Sequence, residues 1–407
     1  MTGLAILAKG GLYLSLAVIV GYWLLRLFPQ GRKPEVRLPA PLLAAAYFLL
    51  PLALFIPPVQ LSYGIAPQVE DSFWSILWSV LKSFDTGEAF WAALLITLAL
   101  AVIHWSSPRF TPTAYNWTGF LLALFLVLAQ SWGSHAAGVT EYLGFLAQSS
   151  HVLAISLWIG PLLLVAWFGQ SFKQWPAFLA WFTPLAMLCV ATIITTGMVM
   201  MTFITPQPIQ SLILSYGQTL LIKHLLLLPV LILGLINSWV SRRLLAQSEK
   251  QLTRWLKAES GLALLLLAVT ASLSQQAPPH DQLAQAVKYA GISPLFRLFF
   301  PELAESGRLA VAFNLLALLL FLTALFIALL IIRNRGRSLL FTLAACAVLV
   351  ILLYLAVMLS LEEVSPVGAG PGEPSFSLLP VVLWIKKAKT RAARAIKVES
   401  KKASLTP

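Results

Sequence analysis

The sequence predicts an all-α, polytopic transmembrane bundle of about ten helices. Of its 407 residues, 59% are hydrophobic and only 11% are charged, whereas a soluble domain carries about 25% charge. The mean hydropathy is +0.85. A bilayer core of about 30 Å requires roughly 20 apolar residues per helix. Ten runs meet that requirement: 4–27, 39–57, 89–105, 116–133, 148–169, 177–203, 217–240, 258–274, 309–332 and 338–360.

The first run is expected to remain in the protein as a spanning helix. It is longer than the apolar region of a signal peptide and has no charged segment before it. Arg26, Arg32, Lys33 and Arg37 follow where a cleavage site would be needed. No soluble domain and no internal repeat accompany the ten runs.

The connections between runs alternate in charge, and this predicts the orientation. Basic residues follow runs one, three, five, seven and nine, whereas the even-numbered connections contain few. Cytoplasmic loops carry the excess of Lys and Arg, so the N-terminus is predicted outside and every odd-numbered connection in the cytoplasm. The basic residues are Arg32, Lys33, Arg37, Arg109, Lys173, Arg242, Arg243, Lys250, Arg254, Lys257, Arg333, Arg335 and Arg337.

The C-terminal tail conflicts with this orientation. Ten helices place it outside, yet residues 386–407 contain eight of the chain's 28 Lys and Arg against one Glu. Residues 376–385 are apolar but too short for an ordinary crossing. Either they dip into the membrane and return the tail to the cytoplasm, or the tail lies outside against anionic lipid. Without interleaved aromatic residues, the tail does not predict nucleic-acid binding.

Two outer connections are predicted to form interfacial helices. Residues 72–84 place apolar side chains at helical spacing, with Trp74 and Trp78 on an adjoining face as aromatic anchors. Residues 281–301 are expected to do the same. The chain then divides into a three-helix segment (1–115), a membrane core (116–280), an outer amphipathic segment with the last two helices (281–360) and a tail (361–407).

The candidate site lies at one predicted depth on four successive runs. His135 ends run four, and His151 is expected in the first turn of run five. Met198 and Met201 lie near the outer end of run six, and His224 lies one to two turns below the outer surface in run seven. Ionisable residues inside a membrane are costly and mark function. Met198 and Met201 share a face at i, i+3, whereas Met200 is expected to point elsewhere.

Imidazole with thioether ligands suits Cu(I), and imidazole alone suits Cu(II) or Zn. No carboxylate belongs to the set, which argues against Mg, Ca or Mn. Cys189 and Cys346 lie in separate runs without a CxxC motif, so no disulfide framework is expected. The chain has no HExxH, GxSxG or Walker motif, and it is predicted not to be an enzyme or an ATP-driven pump.

Three motifs resemble the copper resistance D (CopD) family in the same order. They are SHAA at 134–137, HVLAISLWIG at 151–160 and YGQTLLIKHLLLLPVLILGLIN at 216–237. Ser134 stands where glycine is common in the family. The resemblance covers about residues 116–280 and extends to the membrane part of YcnJ-type copper uptake proteins. It implies a multi-pass protein of the cytoplasmic membrane that imports copper, with His135 and His151 as copper-binding positions.

No extracytoplasmic copper-binding domain is expected in the chain, so a CopC-like partner is the expected donor. The resemblance does not include His224 or the methionines, which are candidates only because they lie at the same predicted depth. Two rival functions stay open. One is a haem b membrane electron-transfer protein, for which His151 and His224 are the pair to test. The other is a copper sensing or assembly component that does not transport.

Overall fold

A computed structural model describes residues 2–69, 71–106, 112–279, 287–288, 290–302, 308–334 and 338–364. Within these ranges, ten helices are long and apolar enough to cross a membrane, as predicted. The basic tail, residues 376–385, His280, Arg109, Arg335 and Arg337 lie outside the described residues. The helices are α1 (Thr2–Leu27), α2 (Ala40–Val69), α3 (Phe73–Ser83), α4 (Asp85–Trp105), α5 (Pro112–Trp132), α6 (His135–Val139), α7 (Glu141–Phe168), α8 (Trp175–Ile204), α9 (Pro208–Ser211), α10 (Ser215–Gln247), α11 (Glu249–Leu273), α12 (Pro294–Arg297), α13 (Leu315–Asn334) and α14 (Leu339–Leu359).

Several spans begin or end beyond their apolar runs. Helix α7 starts at Glu141, seven residues before the predicted run, so residues 141–147 add about two turns to this span. Helix α2 continues to Val69 through Pro57, Pro58 and Pro67, as membrane helices tolerate proline. The ninth predicted run is shortened, because residues 309–311 belong to a strand rather than to α13.

The centre of the bundle is the pair α1 and α7. Helix α1 packs against α7, α2, α5 and α11, and α7 packs against α1, α8, α5 and α11. The two central helices approach closely at Gly21 and Gly160: a Cβ on Gly21 would lie 2.5 Å from the Gly160 carbonyl carbon. Helices α10 and α11 form a neighbouring pair, and α13 and α14 form a hairpin that reaches the bundle through α10.

Contacts between connections respect the predicted alternation of sides. Strand β1 (Glu35–Val36), after the first span, pairs with β2 (Gly169–Ser171), after the fifth. Strand β3 (Arg308–Val311), before the ninth span, pairs with β4 (Leu361–Val364), after the tenth. Each pair therefore joins connections that ten alternating crossings place on one side of the membrane.

The inner end of α1 is closed by a lysine. The Lys33 ammonium donates to the Leu25 carbonyl at 2.5 Å, where a helix C-terminus favours a cation. Burial, together with the nearby Arg26 guanidinium, lowers the pKa of Lys33 to about 8.

The helix predicted in the first of these connections is confirmed. Helix α3 begins after the Ser72 cap, whose side chain accepts from the Ser75 amide. Its inward face buries Leu77, Val80 and Leu81. Trp74 and Trp78 are 75% and 63% exposed, which leaves both rings free to sit at a membrane interface.

The second predicted interfacial helix falls only partly within the described residues. Of residues 281–301, the described part contains residues 287, 288 and 290, which are helical, and the four-residue helix α12. Phe296 is fully buried rather than exposed to a membrane surface. It belongs to a separate outer cluster with Leu214, Leu309 and Met358. Phe296 therefore packs against residues at the ends of α10 and α14.

Candidate functional site

His151 lies deeper than its sequence position predicted. Because α7 begins at Glu141, His151 is ten residues into the helix, or about 15 Å along its axis. The expectation of a first-turn position is therefore wrong. The side chain is 7% exposed, so its imidazole lies inside the bundle.

The hydrogen bonds of Thr196 determine the tautomer of His151. Thr196 Oγ1 donates its single hydrogen to the Thr192 carbonyl at 2.6 Å. The same oxygen lies 2.9 Å from His151 Nδ1, so it accepts there and Nδ1 carries the proton. His151 Nε2 then holds an unshared electron pair, and this buried atom has no hydrogen-bond partner. A neutral imidazole oriented through its other nitrogen is the form that binds metals.

The residues of α8 that face His151 indicate which α8 methionines lie nearest to its ring. A Cβ on Gly197 would lie 3.7 Å from His151 Cε1, so the ring covers Thr196 and Gly197. Successive residues turn by about 100°, which places Met200 one turn above Thr196 and Met201 one turn above Gly197. Met198 points away and is 64% exposed. The geometry therefore favours Met200, which the sequence argument set aside, over Met198.

His135 lies above His151 rather than beside it. It starts the short helix α6 instead of ending α5, and its side chain is exposed. Helix α6 rests on the first turn of α7, where a Cβ on Gly144 would meet the Ala136 carbonyl. Residue 144 is two turns above His151, or about 10 Å. The two histidines thus form an outer and an inner level.

His224 and Lys223 reach the neighbourhood of His151 from α10. Both side chains interact electrostatically with His151. His224 Nδ1 lies 2.7 Å from the Leu220 carbonyl, which only accepts, so Nδ1 carries the proton here too. The His224 side chain is exposed on the surface of the bundle.

Two further polar residues are buried near the depth of His151. Gln130 is 2% exposed, and neither atom of its amide has a partner. Ser149 Oγ is also buried without a partner. Gly119 packs on Trp23, and Gly21 packs on Gly160. In these two contacts α5 and α7 each cross α1. Counted outward from the contacts at about 1.5 Å per residue, Gln130 and His151 both lie at the level of Leu12. A lone glutamine inside an apolar run was the signal available in the sequence.

The remaining sulfur and imidazole groups have separate positions. Cys189 is buried two turns below Thr196 on the same face of α8, about 10 Å deeper. Cys346 is a second buried free thiol. His104 lies at the inner end of α4, with Nδ1 3.3 Å from the Tyr22 hydroxyl.

The described residues contain no group of three or more His, Cys, Asp or Glu side chains able to hold a metal ion. The arrangement is instead one oriented imidazole with thioethers on the adjoining helix. A site with so few ligands can take a soft cation of low coordination number and can release it again.

The fold and this site define a multi-pass helical membrane protein with a histidine buried between α7 and α8. Residues 176–273 match the family "Copper resistance protein D", and residues 1–145 match "Copper resistance protein D-like, N-terminal domain". Both matches are to families of the copper resistance protein D type, in two separate parts of the chain.

A curated relative shows the same likeness. The chain is 30% identical over 285 residues to the "Copper transport protein CutJ" of Bacillus subtilis (strain 168). The match covers 66% of this chain and 52% of that protein, so the chain spans about half the length of its relative. No solved structure matches the chain significantly.

Proposed function

We propose that this protein binds copper at His151 and moves it inward across the cytoplasmic membrane. The observation that carries the proposal is the buried Nε2 of His151, an electron pair with no partner on a ring oriented by Thr196. A buried polar atom without a partner costs about 1–3 kcal/mol, which a bound cation would offset.

The ligand chemistry supports copper as the cargo. Imidazole and thioether groups suit Cu(I), whereas carboxylates suit harder cations. Thr196 and the methionines next to the ring are uncharged. The surroundings of the ring therefore offer soft ligands and none of the carboxylates that a harder cation prefers. The family name and the printed function of the Bacillus relative agree with this choice.

The levels of the site suggest an order of transfer. His135, exposed on α6, would take copper from the outer face, where a CopC-like donor is the partner we propose. His151 with Met200 and Met201 would hold it about two turns deeper. His224 would assist from α10, and Cys189 lies a further two turns down α8. Met198, on the opposite face, has no role in this order.

Copper analysis of purified variants tests the proposal. The protein is loaded with Cu(I) under reducing, oxygen-free conditions and then freed of unbound metal. His151→Ala is expected to lower bound copper by about tenfold or more, because a directly ligating group matters at least as much as its supporting residue. His104→Ala, which removes a histidine from the opposite end of the bundle, should leave it unchanged. Met200→Leu should weaken binding, and Met198→Leu, a matched change on the same helix, should not.

Unchanged copper in His151→Ala would contradict the site. A Soret absorption band from the purified protein would instead support the haem b alternative, with His151 and His224 as axial ligands. Direction is tested in cells: wild type, but not His151→Ala, should raise cellular copper. Binding without any change in cellular copper would indicate a sensing or assembly component.

A further inference from the structure

A buried carboxyl lies in the inner half of the bundle, away from the histidine site. Glu259 is ten residues into α11, about 15 Å from its first residue. Its side chain is 4% exposed. An ionised carboxylate in such a position is costly unless a cation or hydrogen-bond donors compensate it.

The partner of Glu259 is a neutral amide. Asn237 Nδ2 donates to Glu259 Oε2 at 2.6 Å and to the Trp255 carbonyl at 3.4 Å. Gly234, one turn before Asn237 on α10, leaves room for the carboxyl: a Cβ there would lie 3.1 Å from Glu259 Oε1. The Gly234–Asn237 face of α10 therefore forms a niche around the acid.

The niche has more acceptors than donors. Two carboxyl oxygens and Asn237 Oδ1 face two amide hydrogens, one of which is directed to Trp255. Asn237 is 3% exposed, and its Oδ1 is buried without a partner. One additional positive donor would balance this set.

No described cation supplies that donor. Lys257, two residues before Glu259 on α11, lies over the Trp167 ring at 5.0 Å from its centroid. Trp167 of α7 donates to Ser260. Arg26 of α1 is bound to Asn116 and Tyr22. The ionisable residues Lys9 on α1, His151 on α7 and Lys223 on α10 lie in the outer half, and the side chains of Arg242 and Arg243 lie outside the described part of the chain.

We propose that the Glu259–Asn237 niche is a proton-binding site, in which Glu259 is held as a carboxylic acid within the membrane. The proton supplies the missing donor and removes the buried negative charge. This site does not depend on copper binding at His151. It gives the protein a second ligand, a proton, at the inner end of α10 and α11.

Dicyclohexylcarbodiimide tests the proposal because this apolar reagent modifies protonated carboxyls inside membranes. The acid adds across one C=N bond: its oxygen joins the central carbon, its proton moves to nitrogen, and the product rearranges to a stable N-acylurea without loss of atoms. Full-length protein in detergent is treated at several pH values, and the modified peptides are identified by mass spectrometry. Glu249 is the matched control, because it is exposed on the same helix.

We expect an adduct on Glu259 at neutral pH, less of it as the pH rises, no adduct in Glu259→Gln and little on Glu249. An unmodified Glu259, while a reference membrane protein with a known reactive carboxyl is labelled, would overturn the proposal. So would protection by Na⁺, K⁺ or Cu(I), because a metal cation would then occupy the niche. Copper binding is measured separately, so failure here leaves the His151 site intact.

Discussion

Among individual residues, His151 shows how a single hydrogen bond determines which ring nitrogen carries the proton. A histidine has two ring nitrogens, and only the unprotonated one can bind a metal. In this protein the Thr196 hydroxyl fixes the proton on Nδ1, because its own hydrogen is already donated to the Thr192 carbonyl. Thr196 is thus a positioning residue, which would act on a cation at the proposed site through the ring it orients.

Thr196→Val should weaken Cu(I) binding by about 10- to 100-fold, the usual cost of losing a group that supports a metal ligand. Valine keeps the shape of threonine but cannot accept from Nδ1, so the ring loses its fixed tautomer. Competition with a Cu(I) chelator measures the affinity. Thr196→Ser, which keeps the hydroxyl, should restore most of it; equal weakening in both variants would indicate a packing effect instead.

Among the helices, α1 and α7 illustrate how a crossing depends on the absence of side chains. At Gly21 and Gly160 the two backbones meet so closely that a Cβ on either residue would overlap the other helix. Small residues allow such approaches between membrane helices, where van der Waals packing replaces the hydrophobic effect. The crossing also sets the register that brings His151 level with Gln130.

Gly21→Ala should destabilise the protein by about 1–3 kcal/mol, because the backbones must separate to admit the methyl group. Thermal unfolding in detergent measures the effect. Gly11→Ala is the matched control on the same helix, since nothing lies within 4 Å of its Cβ position. That change should be neutral or stabilise by up to about 1 kcal/mol. Equal losses in the two variants would contradict the close crossing.

Across the whole molecule, the small strand pairs support a regular up-and-down path. Connections after the first and fifth spans meet in one pair, and those before the ninth and after the tenth meet in the other. The Phe172 amide after the fifth span also donates to Glu249, at the start of the eighth. These contacts fix which connections share a side, and the basic residues indicate which side is the cytoplasm.

Single-cysteine labelling should place Gln207 outside and Lys250 inside. Both residues are exposed in connections of opposite predicted side, and the buried Cys189 and Cys346 are replaced by alanine in the background. A membrane-impermeant maleimide should modify Gln207→Cys in intact cells, and Lys250→Cys only after permeabilisation. The reverse pattern would invert the orientation and put the His151 layer in the inner half of the membrane.

The number of spans, their alternation and the residue types of the candidate site could be predicted from the sequence. Apolar length and loop charge are local properties, and the bilayer acts on each segment separately. His151 was recognisable because an ionisable residue in an apolar run is rare. Helix ends were less predictable, because a helix can continue beyond the apolar run that crosses the bilayer: residues 141–147 extended α7 by two turns.

The rotation of each helix about its axis was decided by packing. The spans are apolar on nearly every side, so their sequences carry little information about which face points inward. The packing of α8 on α7 places Met200 on the α8 face that lies against His151 and leaves Met198 64% exposed. Contacts of α10 with α11 likewise set Asn237 against Glu259. The free nitrogen of His151 depends on a threonine 45 residues away, and such a pairing exists only once the chain has folded.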